Sequence, residues 1–268
     1  MEKIMFIGAG SMAEALIQGW IKYSVAPPEA IYISNHSNQD RLKELRKAYG
    51  VNILQDYAQL QDTDLIILAM KPKDALNAMQ TIAPHINPQT AILSIVAGIS
   101  IETIEMGLGA RAIARAMPNT SATIGLSATG ISFNEAVQSA QKMYYMEMLR
   151  AVGLVIEVQE DKLHAITALS GSGPAYLYYL IEAFEQVGIE FDLPADIVRQ
   201  LMVQTLAGSA AMLKHVKEEP AVLRKKVTSP GGTTEAGIAT LDQMHFSDAI
   251  AACIRSAEQR SRELAKGN

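Results

Sequence analysis

Apolar and polar positions follow two different periods along this chain of 268 residues. Up to about residue 125, short apolar runs alternate with amphipathic stretches. Residues 4–7, 31–33, 51–53, 65–69 and 91–95 read as strands. The run Leu65-Ile66-Ile67-Leu68-Ala69 is apolar throughout, as a strand covered on both faces should be. Between the strands, residues 11–23 set Met12, Leu16, Ile17 and Trp20 on one side of a helix. The charged stretch 40–49 predicts a second helix, stopped by Gly50. Further helices are predicted from Pro72 to about Ala83 and over 101–106. Residues 112–115 then lead into the turn Met117-Pro118-Asn119-Thr120. Strands alternating with helices predict an α/β fold, a parallel sheet with right-handed crossovers of the Rossmann type.

Later the texture changes. Residues 127–133 and 153–158 read as strands around a helix over 135–151. From residue 161 the pattern is helical only, with helices predicted over 161–168, 174–188, 194–216, 234–243 and 246–265. Leu177, Leu180, Ile181 and Phe184 repeat at helical spacing. A boundary near residue 160 therefore separates a dinucleotide-binding domain (1–160) from an all-helical domain (161–268). The apolar stretches near 174–188 and 246–257 suit either a subunit interface or a monomer's own core.

Composition narrows the function classes. Apolar residues make up 49% and charged residues 19%, which fits a packed globular chain. The formal net charge of -5 argues against nucleic acid as a partner. The single cysteine, Cys253, has no internal disulfide partner and lies in an apolar run, as a buried structural thiol would. The five histidines have no metal-ligand spacing, so no metal site is expected. No apolar run approaches the roughly 20 residues of a membrane span, so no membrane partner is expected. Residues 1–4 lead straight into a strand, which argues against a leader segment. A reduced, cytoplasmic setting is the expectation.

Two glycine-rich segments carry the chemistry. Gly8-Ala9-Gly10-Ser11-Met12-Ala13 follows a strand and opens a helix. Gly8 permits the tight turn, Gly10 admits a pyrophosphate to the backbone, and Ala13 lets helix and strand pack closely. The end of the second strand reads Ser34-Asn35-His36-Ser37, with no carboxylate to repel a 2′-phosphate. Ser34, Asn35 and Ser37 can donate hydrogen bonds, and His36 adds charge when protonated. NADPH is the expected cofactor, with NADH as a competitor. Ala69-Met70-Lys71-Pro72 and Val96-Ala97-Gly98 end strands at the edge where parallel sheets bind ligands; both also read as simple turns, and Lys71 as either a cofactor contact or a solvated side chain.

The second segment is Ser229-Pro230-Gly231-Gly232-Thr233-Thr234. Two glycines bend tightly just before a predicted helix start, where orphan N–H groups favour a small anion. A nicotinamide does its own redox chemistry, so the chain need only hold an acceptor carbon near it. A carbonyl acceptor wants a side-chain acid. A protonated imine needs less, and the Thr234 hydroxyl on its nitrogen would suffice. Ser170-Gly171-Ser172-Gly173-Pro174 breaks two helices and reads equally well as a turn or as room for a ligand.

At these residues the sequence resembles the pyrroline-5-carboxylate reductase family over essentially its whole length. The likeness rests on the opening glycine loop, on Ala69-Met70-Lys71-Pro72 and Met117-Pro118-Asn119-Thr120, and on Leu169 to Tyr176. It rests most specifically on residues 227–242, with Gly232, Thr234, Gly237 and Leu241 in register. The resemblance implies reduction of 1-pyrroline-5-carboxylate to L-proline by NAD(P)H in proline biosynthesis. It also implies a helical domain that makes a homodimer, often within a ring of dimers. It places the substrate carboxylate on Gly231, Gly232 and Thr233, the imine nitrogen on Thr234 as the catalytic group, and Glu160 near the substrate. The cofactor would meet Gly8, Ala9, Gly10, Ser11, Met12, Ser34, Asn35, His36, Ser37, Ala69, Met70, Lys71, Pro72, Ala97, Gly98 and Asn119. His36 stands where many bacterial members have Arg, and Ser121 replaces a frequent Pro. Two other readings are a 3-hydroxyacid dehydrogenase, with Lys162 as its acid, and a dinucleotide-binding sensor without turnover.

Overall fold

The computed structural model describes residues 3–266. Its strands are β1 (Ile4–Ile7), β2 (Ile31–Ser34), β3 (Asn52–Ile53), β4 (Leu65–Leu68), β5 (Ala91–Ser94), β6 (Ile113–Met117), β7 (Ser127–Phe133) and β8 (Gly153–Glu157). They form one sheet in the order β3-β2-β1-β4-β5-β6-β7-β8. Helices α1 (Ser11–Lys22), α2 (Gln39–Tyr49), α3 (Ala75–Ile82), α4 (Ile101–Leu108) and α5 (Ser139–Arg150) accompany it. Ile4 of β1 pairs with Ile31 on one side and with Leu65 on the other, both in parallel.

The expectation of a wholly parallel sheet fails at one step. β7 runs antiparallel to β6, and β8 follows β7 in parallel. The link 118–126 between β6 and β7 holds only a 3-10 turn, Thr120–Ile124. It is shorter than the dozen or so residues a parallel crossover needs. The helix expected from residue 135 starts at Ser139, because Gln138 and Gln141 form a reciprocal cap there.

Alternate residues of the strands feed two cores. Ile4, Phe6, Leu65 and Ile67 join Leu16, Trp20 and Leu149 on one face; Met5, Ile7, Ile66 and Leu68 join Met79, Ile82 and Ile104 on the other. Trp20 is fully buried, lies 5.2 Å from the Phe6 ring, and donates its indole N–H to the Met148 carbonyl at 2.7 Å. Burial on both faces explains why these strands read as continuous apolar runs.

The remainder is helical: α6 (Leu163–Ile166), a π-helical turn Thr167–Gly171, then α7 (Gly173–Glu190), α8 (Ala195–Val216), α9 (Pro220–Lys226), α10 (Thr233–Gln243) and α11 (Phe246–Lys266). Only Ser172 separates the π turn from α7, so the glycine-serine segment interrupts the helix less than its composition implies. Helix α9, only seven residues long, escaped the periodicity reading.

The chain forms two compact units. One holds the residues to Pro174 together with those from Ser256; the other is Ala175–Arg255. The sheet ends at Glu157, and the unit built on it continues to Pro174. In the helical unit Gly188 and Val198 are buried, while Leu177, Tyr178, Tyr179, Phe184, Ile189, Phe191, Leu201 and Met244 are exposed. Such an apolar surface is that of an interface, not of a finished core. Cys253, expected to be buried, is half-buried.

Candidate active site

The glycine loop sits at the carboxyl ends of β1 and β4. Gly8 adopts φ 110°, and a Cβ there would stand 2.5 Å from the Ala69 carbonyl oxygen. Its N–H donates to the Ser34 carbonyl at 3.0 Å, tying the loop to the end of β2. Gly10 is the N-cap of α1, and no side chain caps the helix there. A Cβ on Gly10 would meet no atom within 4 Å. An uncapped helix start facing open space beside a loop too tight for side chains fits a dinucleotide pyrophosphate.

A cavity of about 280 Å³ adjoins this loop at the ends of β2 and β3, lined by Ser34, Asn35, Gln39, Leu42, Leu54, Gln55, Asp56 and Tyr57. Its lining mixes Leu42, Leu54 and Tyr57 with polar side chains at the carboxyl end of β2, a composition that suits the adenosine end of the cofactor. The Ser34 hydroxyl donates to the Phe6 carbonyl at 3.2 Å. Asn35 Oδ1 accepts from the N–H groups of Ser37 and Asn38, which shapes the loop, while His36 and Ser37 are exposed. A larger cavity of about 710 Å³ opens at the opposite edge, beside Thr63, Asp64, Thr90 and Ala91 at the amino ends of β4 and β5. Ligands of open parallel sheets sit at the carboxyl ends, so the smaller cavity is the relevant one.

The other expected cofactor residues gather on the same edge. Ala69 and Met70 leave β4 half-buried, Lys71 is exposed, and Pro72 opens a 3-10 turn. Ala97 and Gly98 leave β5. Gly98 adopts φ 73°, and a Cβ there would lie 3.5 Å from the backbone of Leu264 and Ala265, so the last turn of α11 packs on it. Asn119 is buried; its Oδ1 caps the 3-10 turn through the Ser121 N–H, and its Nδ2 donates to the Ser170 carbonyl at 3.0 Å.

Glu160 is anchored inside the sheet unit. Its Oε1 accepts from Arg115 Nη1 at 2.9 Å and from the Ile101 N–H, the first residue of α4, at 2.8 Å. Arg115 lies on β6 and is buried, so Glu160 neutralises an interior charge and closes a helix start beside the Ala97–Gly98 turn. Sequence reading overlooked Arg115; a lone arginine inside Ile113-Ala114-Arg115-Ala116-Met117 is the signal that marks it. Nearby, His164 Nδ1 lies 2.9 Å from Ser261 Oγ on α11. Burial, then the charges of Arg115 and Arg262, hold its pKa below the ordinary histidine value.

In the helical unit the diglycine turn precedes α10. Gly231 adopts φ 70°, and a Cβ on Gly232 would stand 2.4 Å from Ser229 Oγ. The Gly231 N–H donates to Glu235 Oε2 at 2.7 Å, and the Gly232 N–H to the Ser229 carbonyl at 3.0 Å. Both glycine donors are thus satisfied within the turn. Gly232 is the N-cap of α10 and no side chain caps the helix. A helix start leaves its first-turn N–H groups, here those of Thr233 and Thr234, without partners inside the helix. Glu235 was not singled out from sequence, although a glutamate three residues after an N-cap is a capping signal.

Known proteins carry the same layout. Residues 160–264 match the family described as pyrroline-5-carboxylate reductase dimerisation, and residues 3–98 match the family described as NADP oxidoreductase, coenzyme F420-dependent. Pyrroline-5-carboxylate reductase 2 of Bacillus subtilis is 44% identical over 266 residues, covering 98% of this chain and 95% of the relative. The Staphylococcus aureus pyrroline-5-carboxylate reductase is 39% identical over 264 residues, 98% of this chain and 97% of the relative. The structure of a pyrroline-5-carboxylate reductase from Coxiella burnetii superposes with a TM-score of 0.90 at 34% identity, covering 98% of each chain. That of Plasmodium falciparum pyrroline carboxylate reductase with NADP bound does so at 0.88 and 26% identity, again over 98% of each chain. With a Rossmann-type unit that fits an NADP-class dinucleotide and a helical dimerisation domain that makes it a homo-oligomer, the chain belongs to the pyrroline-5-carboxylate reductase family.

Proposed function

We propose that this chain reduces 1-pyrroline-5-carboxylate to L-proline, with NADPH as the hydride donor and NADH as a competitor. The observation that carries the reading is the pair of uncapped helix starts, one at Gly10 and one at Gly232, in a chain of this family. When bound, the reduced nicotinamide supplies the hydride that adds to the imine carbon. The α1 start and the Gly8–Met12 loop hold the pyrophosphate. Ser34, Asn35, His36 and Ser37 surround the adenosine ribose. Ala69–Pro72, Ala97, Gly98 and Asn119 border the cofactor on the same sheet edge. The N–H groups of Thr233 and Thr234 receive the substrate carboxylate, with Gly231 and Gly232 shaping the turn. The Thr234 hydroxyl bonds the ring nitrogen, which passes from iminium to neutral amine as the hydride adds. Glu160 serves the site by fixing the β5–α4 turn.

The division of labour at residue 160 follows from this reading, with the cofactor on residues 1–160 and the substrate turn and dimer contacts on 161–268. The exposed apolar helix surface supports a homodimer, and we extend this to a ring of dimers. Among the described residues no helix is long and apolar enough to cross a membrane, and with a single unpaired cysteine a cytoplasmic site of action fits.

The test is to mix the protein with NADPH and the cyclic imine acid, follow loss of nicotinamide absorbance, and assay L-proline. Turnover of a 3-hydroxy acid instead, or dinucleotide binding without turnover, would overturn the assignment. Light scattering in solution gives the number of subunits.

A further inference from the structure

Arg41 is a charged side chain that the proposed roles leave unused, and it reaches the glycine loop from α2. Its Nε donates to the Ala9 carbonyl at 3.2 Å. Its Nη2 pairs with Glu14 on α1, and its Nη1 meets Glu44 Oε2 at 3.3 Å. Glu14 is fixed in turn, since its Oε1 accepts from the Tyr49 hydroxyl at 3.0 Å. Ala9 itself is buried. Across a trans peptide the C=O and the following N–H point in opposite directions. Holding the Ala9 carbonyl toward Arg41 therefore turns the Gly10 N–H the other way, at the open start of α1. Arginine suits the task because its rigid fork serves three acceptors at once, which a lysine ammonium at the end of a flexible stem cannot do in fixed geometry.

We propose that Arg41 is a positioning residue for dinucleotide binding: it locks the Ala9–Gly10 peptide in the orientation that receives the pyrophosphate. Both of its terminal nitrogens are occupied by carboxylates, so it acts on the loop and not on a 2′-phosphate. The inference rests on the glycine loop being the pyrophosphate site. It requires NADPH and NADH to depend on Arg41 equally, because the pyrophosphate is common to both.

The experiment is calorimetric titration of the wild-type protein, Arg41→Met, Arg41→Lys and Glu14→Gln with NADPH and with NADH, with unfolding midpoints measured in parallel. Arg41→Met should raise both dissociation constants by the same factor, about tenfold, the size of one charged hydrogen bond. Arg41→Lys should not restore them. Glu14→Gln keeps an acceptor for Arg41 and should raise both by a smaller, equal factor; it decides the matter if Arg41→Met does not fold. A loss confined to NADPH would overturn the inference in favour of direct phosphate contact. Unchanged dissociation constants with a lowered unfolding midpoint would reduce Arg41 to a purely structural role. Wild-type protein that binds neither dinucleotide would instead sink the underlying reading of the loop.

Discussion

Gly8 and Ala69 approach so closely that a Cβ on Gly8 would stand 2.5 Å from the Ala69 carbonyl oxygen. Gly8 also holds a positive φ of 110°. Gly8→Ala therefore meets a clash and a backbone penalty together, about 1–3 kcal/mol for the strain alone. Gly10 differs on both counts, having φ -76° and no atom near its would-be Cβ. Gly10→Ala should leave the unfolding free energy within about 0.5 kcal/mol. The added methyl would occupy the space a pyrophosphate needs, so dinucleotide affinity should fall at least tenfold. Urea denaturation and calorimetric titration of the two variants separate the effects. If Gly10→Ala binds NADPH as tightly as wild type, the pyrophosphate lies elsewhere.

Glu160 neutralises Arg115, and an anchoring role and a substrate-contact role for it predict different outcomes. Glu160→Gln leaves a buried guanidinium uncompensated and weakens the anchor at the start of α4. The expected cost is about 3 kcal/mol of stability. The Michaelis constant for NADPH should rise, because the α4 start borders the Ala97–Gly98 turn. Unaltered stability with a higher constant only for the imine acid would mean that Glu160 touches substrate after all.

The sheet was legible because burial on both faces writes continuous apolar runs, and the glycine loop because only small residues fit beside Ala69. The reversal at β7 was not, since a strand's direction depends on the length and path of the preceding link, not on its own residues. At the site, side-chain pairings were what sequence missed. Arg41 meets Ala9 and Arg115 meets Glu160 across separations of 32 and 45 residues. Periodicity reports which face a residue occupies, and it is silent on which distant partner shares that face. Conversely, of the two glycines expected to bend the turn only Gly231 holds a positive φ, Gly232 being ordinary extended backbone at φ -89°, and their N–H groups go to Glu235 and Ser229, which hydrogen-bond geometry alone reveals.

Thr234 is half-buried in the first turn of α10. The iminium N–H donates to the Thr234 oxygen, and the Thr234 O–H can donate back only as a lone pair forms on the nitrogen in the transition state; losing that donor costs about 1.5–4 kcal/mol of transition-state stabilisation. Thr234→Ala should therefore lower kcat by roughly ten- to a thousandfold, with NADPH affinity unchanged. Thr234→Ser keeps the hydroxyl and should retain most of the rate. Equal rates in Thr234→Ala and wild type would remove this hydroxyl from the reaction.

His164 gives the protein a pH-dependent stability. Burial, then Arg115 and Arg262, lower its pKa in the folded chain, while Glu258 and Glu160 oppose them less strongly. The unfolded chain therefore takes up the proton at higher pH than the folded one. The stability associated with the neutral imidazole, which lies 2.9 Å from Ser261, is complete above the unfolded-state pKa of about 6.5. It is lost as pH falls from there toward the lowered folded-state pKa. The midpoint of urea unfolding should drop between about pH 7 and pH 5 more steeply in wild type than in His164→Gln, which lacks the titrating ring. Ser261→Ala should keep the slope while lowering the midpoint at every pH, since it removes the partner and leaves the titration. Identical slopes in wild type and His164→Gln would mean that the ring binds its proton alike in both states, and that burial against Arg115 and Arg262 exacts nothing from it.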